Sequence, residues 1–130
     1  MKQGIIIVDH GSSREQSNQL LVQIAQAFSA KFSNKYEIVE AAHMEMAEPS
    51  IRDAYAKCVA RGATDIVVCP FFLGPGKHMT VDIPHLVEQA AAEFPNTRAS
   101  LATVLAPDDL LLQLIDKRIS ETKPPTVSQK

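Results

Sequence analysis

Short apolar runs alternate with longer stretches of helical periodicity along the whole chain. Residues 4–9 (GIIIVD) form a continuous apolar run, the pattern of a strand buried on both faces. Ser12 and Ser13 stand as helix N-caps. Behind them Leu20, Leu21, Ile24, Ala25, Phe28 and Phe32 recur at helical spacing. Residues 36–46 read as a second strand. Pro49 suits the first turn of a second helix, whose inward face is Ile51, Ala54, Tyr55, Cys58 and Val59 and whose C-cap is Gly62. Residues 65–70 (DIVVCP) are a third strand, followed over 71–80 by a loop broken by glycine and proline. A third helix opens at 82–84 (DIP), with Leu86, Val87, Ala90, Ala91 and Phe94 inward. Residues 99–105 form a fourth strand. A last helix starts at 107–109 (PDD), with Leu110, Leu111, Leu114, Ile115 and Ile119 expected to be buried. From residue 121 the chain turns polar and proline-bearing, and disorder is expected over 121–130.

Strands that alternate with amphipathic helices imply right-handed βαβ units and a parallel sheet covered on both faces. The predicted architecture is α/β: a single flavodoxin-like domain over 1–120 with a four-stranded parallel sheet in the order 2-1-3-4. There is no internal repeat.

Composition narrows the function classes. The 130 residues suit one domain able to bury a core without metals or disulfides. A formal net charge of −2, with no basic run, argues against a nucleic-acid partner. No apolar stretch is long enough to span a membrane. The run at Ile5-Ile6-Ile7-Val8 is too short for a signal sequence, and a cytoplasmic location is expected. Cys58 and Cys69 form no CxxC pair and are expected to be buried, apolar and unpaired.

Open α/β sheets bind ligands beyond the carboxyl ends of their strands, where the strand order reverses. In the order 2-1-3-4 that point lies between strands 1 and 3. His10 follows strand 1 in DHGSS, His78 lies in the loop after strand 3 in GPGKHMTVD, and Glu45 closes strand 2 in HMEMAEPS. These three converge on one edge as candidate ligands. His43 is assigned to the face opposite Glu45 and His85 to the interior of helix 3, both outside the site. Imidazole plus carboxylate suits a first-row divalent ion, and neutral histidine accepts protons near neutrality.

At these residues the sequence resembles the short CbiX-type sirohydrochlorin chelatases. The resemblance rests on IIIVDHGSS-R with Asn18 following, on MEMAEPSI, and on VVCPFFLGPGKHMTVDIP, and it covers about residues 4 to 115. It implies a chelatase-like fold that inserts cobalt, iron or nickel into sirohydrochlorin without ATP, in cobalamin or sirohaem synthesis. His10 and His78 would bind the metal and assist deprotonation, with Glu45 completing the set and Glu40 the weaker alternative. The longer relatives carry two such domains, so a homodimer is implied here. Plant-type ferrochelatases end in a cysteine-bearing iron–sulfur segment. The tail here has no cysteine, so no cluster and no cofactor beyond the substrate metal is expected.

A carboxylate-rimmed macrocycle needs local positive groups. Arg14 and Lys77 flank the site, Arg52 is more distant, and backbone N–H groups around Ser12 and Ser13 suit a carboxylate. Met44, Leu73 and Met79 are candidate walls, and Phe71 and Phe72 are expected to split between core and crevice. Three other readings stay open. One is a non-catalytic metal-delivery protein. Another is a histidine phosphatase, although Asp9 stands where an arginine would precede His-Gly. The third is a flavodoxin-like binding module.

Overall fold

The structure, a computed structural model, describes residues 2–123, with His78 described by its main chain only. The expectation of disorder therefore falls mainly on 124–130, outside the described residues. The elements are β1 (Gln3–Asp9), α1 (Glu15–Lys31), β2 (Ile38–His43), α2 (Ile51–Ala60), β3 (Asp65–Pro70), α3 (Ile83–Glu93), β4 (Arg98–Leu101) and α4 (Asp109–Ser120). The strands form one four-stranded sheet in the order β2-β1-β3-β4, and every pairing is parallel. Fold class and strand order agree with the sequence reading.

The continuous apolar run in β1 is explained by its central place. Alternate side chains point to opposite faces. Ile6 and Val8, with Ile66 and Val68 of β3, meet α2 and α3 through Ile51, Tyr55, Ile83 and Val87. Ile5 and Ile7 meet α1 through Leu21 and Ala25. Burying each such side chain fully contributes about 2 kcal/mol. Tyr55 is enclosed, and its hydroxyl lies 2.8 Å from the Thr97 hydroxyl, so the polar end is satisfied.

Several boundaries move for identifiable reasons. Helix α2 begins at Ile51, not at Pro49. Ser50 is the N-cap and forms a capping box with Asp53. Neither Ser12 nor Ser13 caps α1; the N-cap is Arg14, with no side-chain cap. Ser12 instead accepts from the Arg14 N–H through its own hydroxyl, at 3.0 Å. A π-helical turn, His78–Asp82, replaces the end of the expected loop and runs directly into α3. Strand β2 is shorter than 36–46 because the chain bends after His43, and β4 is shorter than 99–105 because the following segment leaves the sheet. The largest correction concerns α4: none of its residues is buried. Its apolar side meets solvent because no element packs on it closely within this chain.

The thiol of Cys58 lies fully in the core. Burial pushes its pKa up from 9.0 to about 12, the Glu40 charge adds to the rise, and Arg61 offsets part of it. Burial also raises Cys69.

Two predictions follow from this packing. Folded and unfolded Cys58 are both protonated below pH 9.0, whereas between there and about 12 only the unfolded chain ionises. Its contribution to stability is therefore intact below 9 and is lost as pH rises, by up to about 1.4 kcal/mol per unit. Chemical denaturation of Cys58→Ala should give a shallower decline above pH 9 than wild type; equal slopes would refute the assignment. The second concerns Gly11, whose φ is +91° and where an added Cβ would lie 1.7 Å from the Glu45 carbonyl oxygen. Gly11→Ala should lower unfolding free energy by about 3 kcal/mol or more, and a change under about 1 kcal/mol would show that the Glu45 segment yields.

Candidate active site at the carboxyl edge of the sheet

The β1–β2 ladder does not stop where the strands end. The Met44 N–H donates to the Asp9 carbonyl at 2.9 Å and the Glu45 N–H to the His10 carbonyl at 3.2 Å. These bonds bring His10 and Glu45 side by side, with His10 Nε2 3.9 Å from Glu45 Oε2 and both side chains about half exposed. Gly11 in its left-handed conformation lets the chain pass against the Glu45 carbonyl.

Beneath this pair lies a second one. His43 is 1% exposed, and its Nδ1 lies 2.7 Å from Asp9 Oδ1. An ionised carboxylate only accepts, so the ring donates through Nδ1–H. His43 is not separated from Glu45 by alternation, because residues two apart share a strand face. The separation comes from the bend after β2, which leaves His43 inside and Glu45 outside.

The opposite wall comes from the segment after β3. The Phe71 N–H donates to the Val8 carbonyl at 2.7 Å, tying this segment to β1. His10, Phe71, Phe72, Leu73, Gly74, Gly76 and Met79 line a cleft of about 380 Å³. His10 meets Phe72 edge-on at 6.5 Å between ring centres. Phe72 also packs against the core, so the two phenylalanines do not split cleanly: both reach the cleft. Thr80 closes the turn, its N–H and its hydroxyl both donating to the Gly76 carbonyl. The main chain of His78 opens the π-helical turn directly beside Met79; the side chain of His78, and with it the expected meeting with His10, lies outside the described residues.

Of the residues singled out in the sequence, the structure brings His10, Glu45, Leu73 and Met79 to this edge. Met44 does not belong there. It is 9% exposed and sits in the α2–α3 core, in the bend after β2 where its N–H donates to the Asp9 carbonyl. Ser12 is half-buried, while Ser13, Arg14 and Lys77 are exposed. Glu40 is engaged by Arg61 at 3.1 Å, and Arg52 by Glu93 at 2.8 Å and by the Phe94 ring, which takes both away from His10. Among the described residues, no three His, Cys, Asp or Glu side chains gather closely enough to hold a metal. A larger cavity of about 500 Å³ lies along β2, between α1 and α2, and contains no histidine.

Asn18, which stands in the first of the family-like segments, holds the loop after His10. It is 7% exposed; its side chain accepts from the Ser12 N–H at 3.0 Å and donates to the Ser12 carbonyl at 2.8 Å. Its sequence signal was a polar residue on the apolar side of α1. The His43–Asp9 pair had no such signal, because it depends on parallel register.

Comparison with known proteins completes the picture. The family profile described as CbiX matches residues 4–122. The chloroplastic sirohydrochlorin ferrochelatase of Arabidopsis thaliana is 50% identical over 116 residues, covering 89% of this chain and 51% of that protein. The sirohydrochlorin cobaltochelatase of Methanosarcina acetivorans is 32% identical, covering 92% of this chain and 96% of that one. SirB from Bacillus subtilis, solved with Fe3+, superposes with a TM-score of 0.86 at 28% identity, covering 96% of this chain and 49% of that one. The chain thus spans about half the length of several relatives it matches. From its sheet order, its carboxyl-edge cleft and this match over nearly its full length, the chain belongs to the CbiX family.

Proposed function

We propose that this chain inserts a divalent metal ion into sirohydrochlorin. The observation that carries the reading is His10, held half-exposed beside Glu45 and opening onto an aromatic and aliphatic cleft. Similarity to proteins named sirohydrochlorin ferrochelatase and cobaltochelatase supports the substrate. Cobalt and iron are the metals of choice, and the same donors accept nickel. The product enters cobalamin or sirohaem synthesis.

In this reading the flat macrocycle lies against Phe72, Leu73 and Met79, and its carboxylated rim stays in solvent within reach of Arg14, Lys77 and the Ser12–Ser13 loop. His10 and His78 present the ion, with Glu45 as the anionic donor. Two pyrrole N–H protons must leave as the metal enters, so charge balances as one divalent ion in and two protons out. Histidine suits both tasks, since its neutral ring binds metals and takes up protons near neutral pH. The product is favoured by metal–nitrogen bonding, and the sequence contains no Walker-type phosphate loop. The reading assigns no iron–sulfur cluster to Cys58 and Cys69, which are fewer than the four thiolates a cluster takes. Both are free thiols, which suits the reducing cytoplasm. No helix among the described residues is long and apolar enough to cross a membrane. Two copies associate in this reading, by analogy with relatives of about twice the length.

The second reading, metal delivery without catalysis, uses the same donors but gives no purpose to the cleft. The test follows the sirohydrochlorin absorption spectrum after anaerobic addition of cobalt or ferrous ion. His10→Ala and His78→Ala should each slow metallation by about 100-fold or more, Glu45→Gln less, and Met44→Leu hardly at all. Wild-type rates in both histidine variants would overturn the site. Metal binding with no spectral change in the wild type would favour delivery.

A further inference from the structure

We propose that His43 is a positioning residue for metal insertion: through its bond to Asp9 it holds the loop that carries Glu45 at the height of His10, and the pair serves the reaction more than the stability of the fold. The proposal rests on the function given above, with His10 and Glu45 as donors to the ion.

The pair stands where the ladder ends. Asp9 and His43 are Cα partners at the last regular rung of β1 and β2. Their side chains meet at 2.7 Å between Asp9 Oδ1 and His43 Nδ1. One residue further the Met44 N–H donates to the Asp9 carbonyl, and after it the Glu45 N–H donates to the His10 carbonyl. Asp9 is therefore gripped twice from the β2 side, by a side chain and by main chain. The ends of elements open more readily than their middles. This rung is the one whose loss would free both donors.

The loop beyond it is strained. The His43 N–H donates to the Pro49 carbonyl at 2.8 Å, so residues 43–49 form a closed loop. Within it Met46 has φ +69°, a left-handed conformation that costs free energy in any residue with a Cβ. Its side chain is 65% exposed, so little packing of its own holds it there. A strained backbone persists only where its surroundings over-determine it. His43 joins the foot of this loop to Asp9, and Gly11 passes against the Glu45 carbonyl. Without the His43 bond the loop would relax and widen the 3.9 Å that separates Glu45 from His10.

Stability alone gives the pair little reason to exist. The His43 side chain is 1% exposed and that of Asp9 20%. Taking such groups out of water costs free energy that their attraction does little more than offset, and apolar side chains of similar volume often serve a fold as well or better. The preceding rung on the same face, Ile7 with Ala41, is apolar, so this side of the sheet accepts apolar neighbours. A charged hydrogen bond differs from apolar contact in fixing direction as well as distance. Groups that must present donors to an ion need that fixity.

The experiment replaces the pair by apolar side chains, Asp9→Val together with His43→Leu. It is compared with His43→Asn, whose amide nitrogen can take the place of Nδ1 and donate to Asp9. The double variant should keep the wild-type urea midpoint or exceed it. Its kcat for sirohydrochlorin metallation should fall about 10- to 100-fold. Its KM for sirohydrochlorin should stay within about 2-fold, because neither residue lines the cleft. Cobalt(II) added without tetrapyrrole, followed by its visible absorption, should bind more weakly than in the wild type. His43→Asn should keep most of the wild-type kcat. Wild-type kcat in the double variant would overturn the proposal. So would a lowered midpoint or a failure to fold, which would assign the pair to stability, and so would a His43→Asn variant as slow as the double one. If the wild type binds cobalt but metallates no tetrapyrrole, the function reading falls and the cobalt titration decides this one, equal affinities overturning it. A wild type that binds no cobalt removes both.

Discussion

The main-chain bonds from Met44 to Asp9 and from Glu45 to His10 are what the site depends on. A parallel ladder fixes the relative height of its strands, because register is a whole-residue quantity. Continuing that ladder past the last regular pair carries the register into the loops. His10 and Glu45 are therefore neighbours for the same reason that Val8 and Ala42 are. Gly11 enables this continuation, since any side chain there would occupy the space of the Glu45 carbonyl.

The two walls of the cleft are built differently. On the β1–β2 side the buried His43–Asp9 pair and the Asn18–Ser12 pair hold the chain through charged or reciprocal hydrogen bonds. No buried side-chain nitrogen or oxygen among the described residues lacks a partner. On the β3 side, Gly74 and Gly76 have nothing within 4 Å of where a side chain would begin. One wall is thus stiff and carries the charged groups, while the other has room to adjust to a large flat ligand. Groups that meet an ion need fixed positions, and a surface that meets a macrocycle needs shape.

Much of the fold could be read from the chain. The four apolar runs set the sheet, and β3 ends at Pro70 as its sequence pattern indicates, ahead of a segment broken by Gly74, Pro75 and Gly76. Of the site, His10 and Glu45 were legible because strand order placed their loops together. Met44 was misplaced because a residue's direction after a strand ends follows from individual hydrogen bonds, not from periodicity. Helix α4 was misread in the opposite sense. Its periodicity gives an apolar face, but periodicity does not say whether any other element of the chain reaches that face. The His43–Asp9 pair links residues 34 apart and could not be seen without the register.

The edges of the sheet have a consequence of their own. An open β-edge is a template on which further strands can add. Here β2 carries Glu40 in its middle, tethered to Arg61, and β4 is only four residues long and begins with Arg98. Extending the sheet sideways would bring identical charges together or gain very few backbone bonds. Growth into fibres by strand addition is thereby disfavoured at both edges of the sheet.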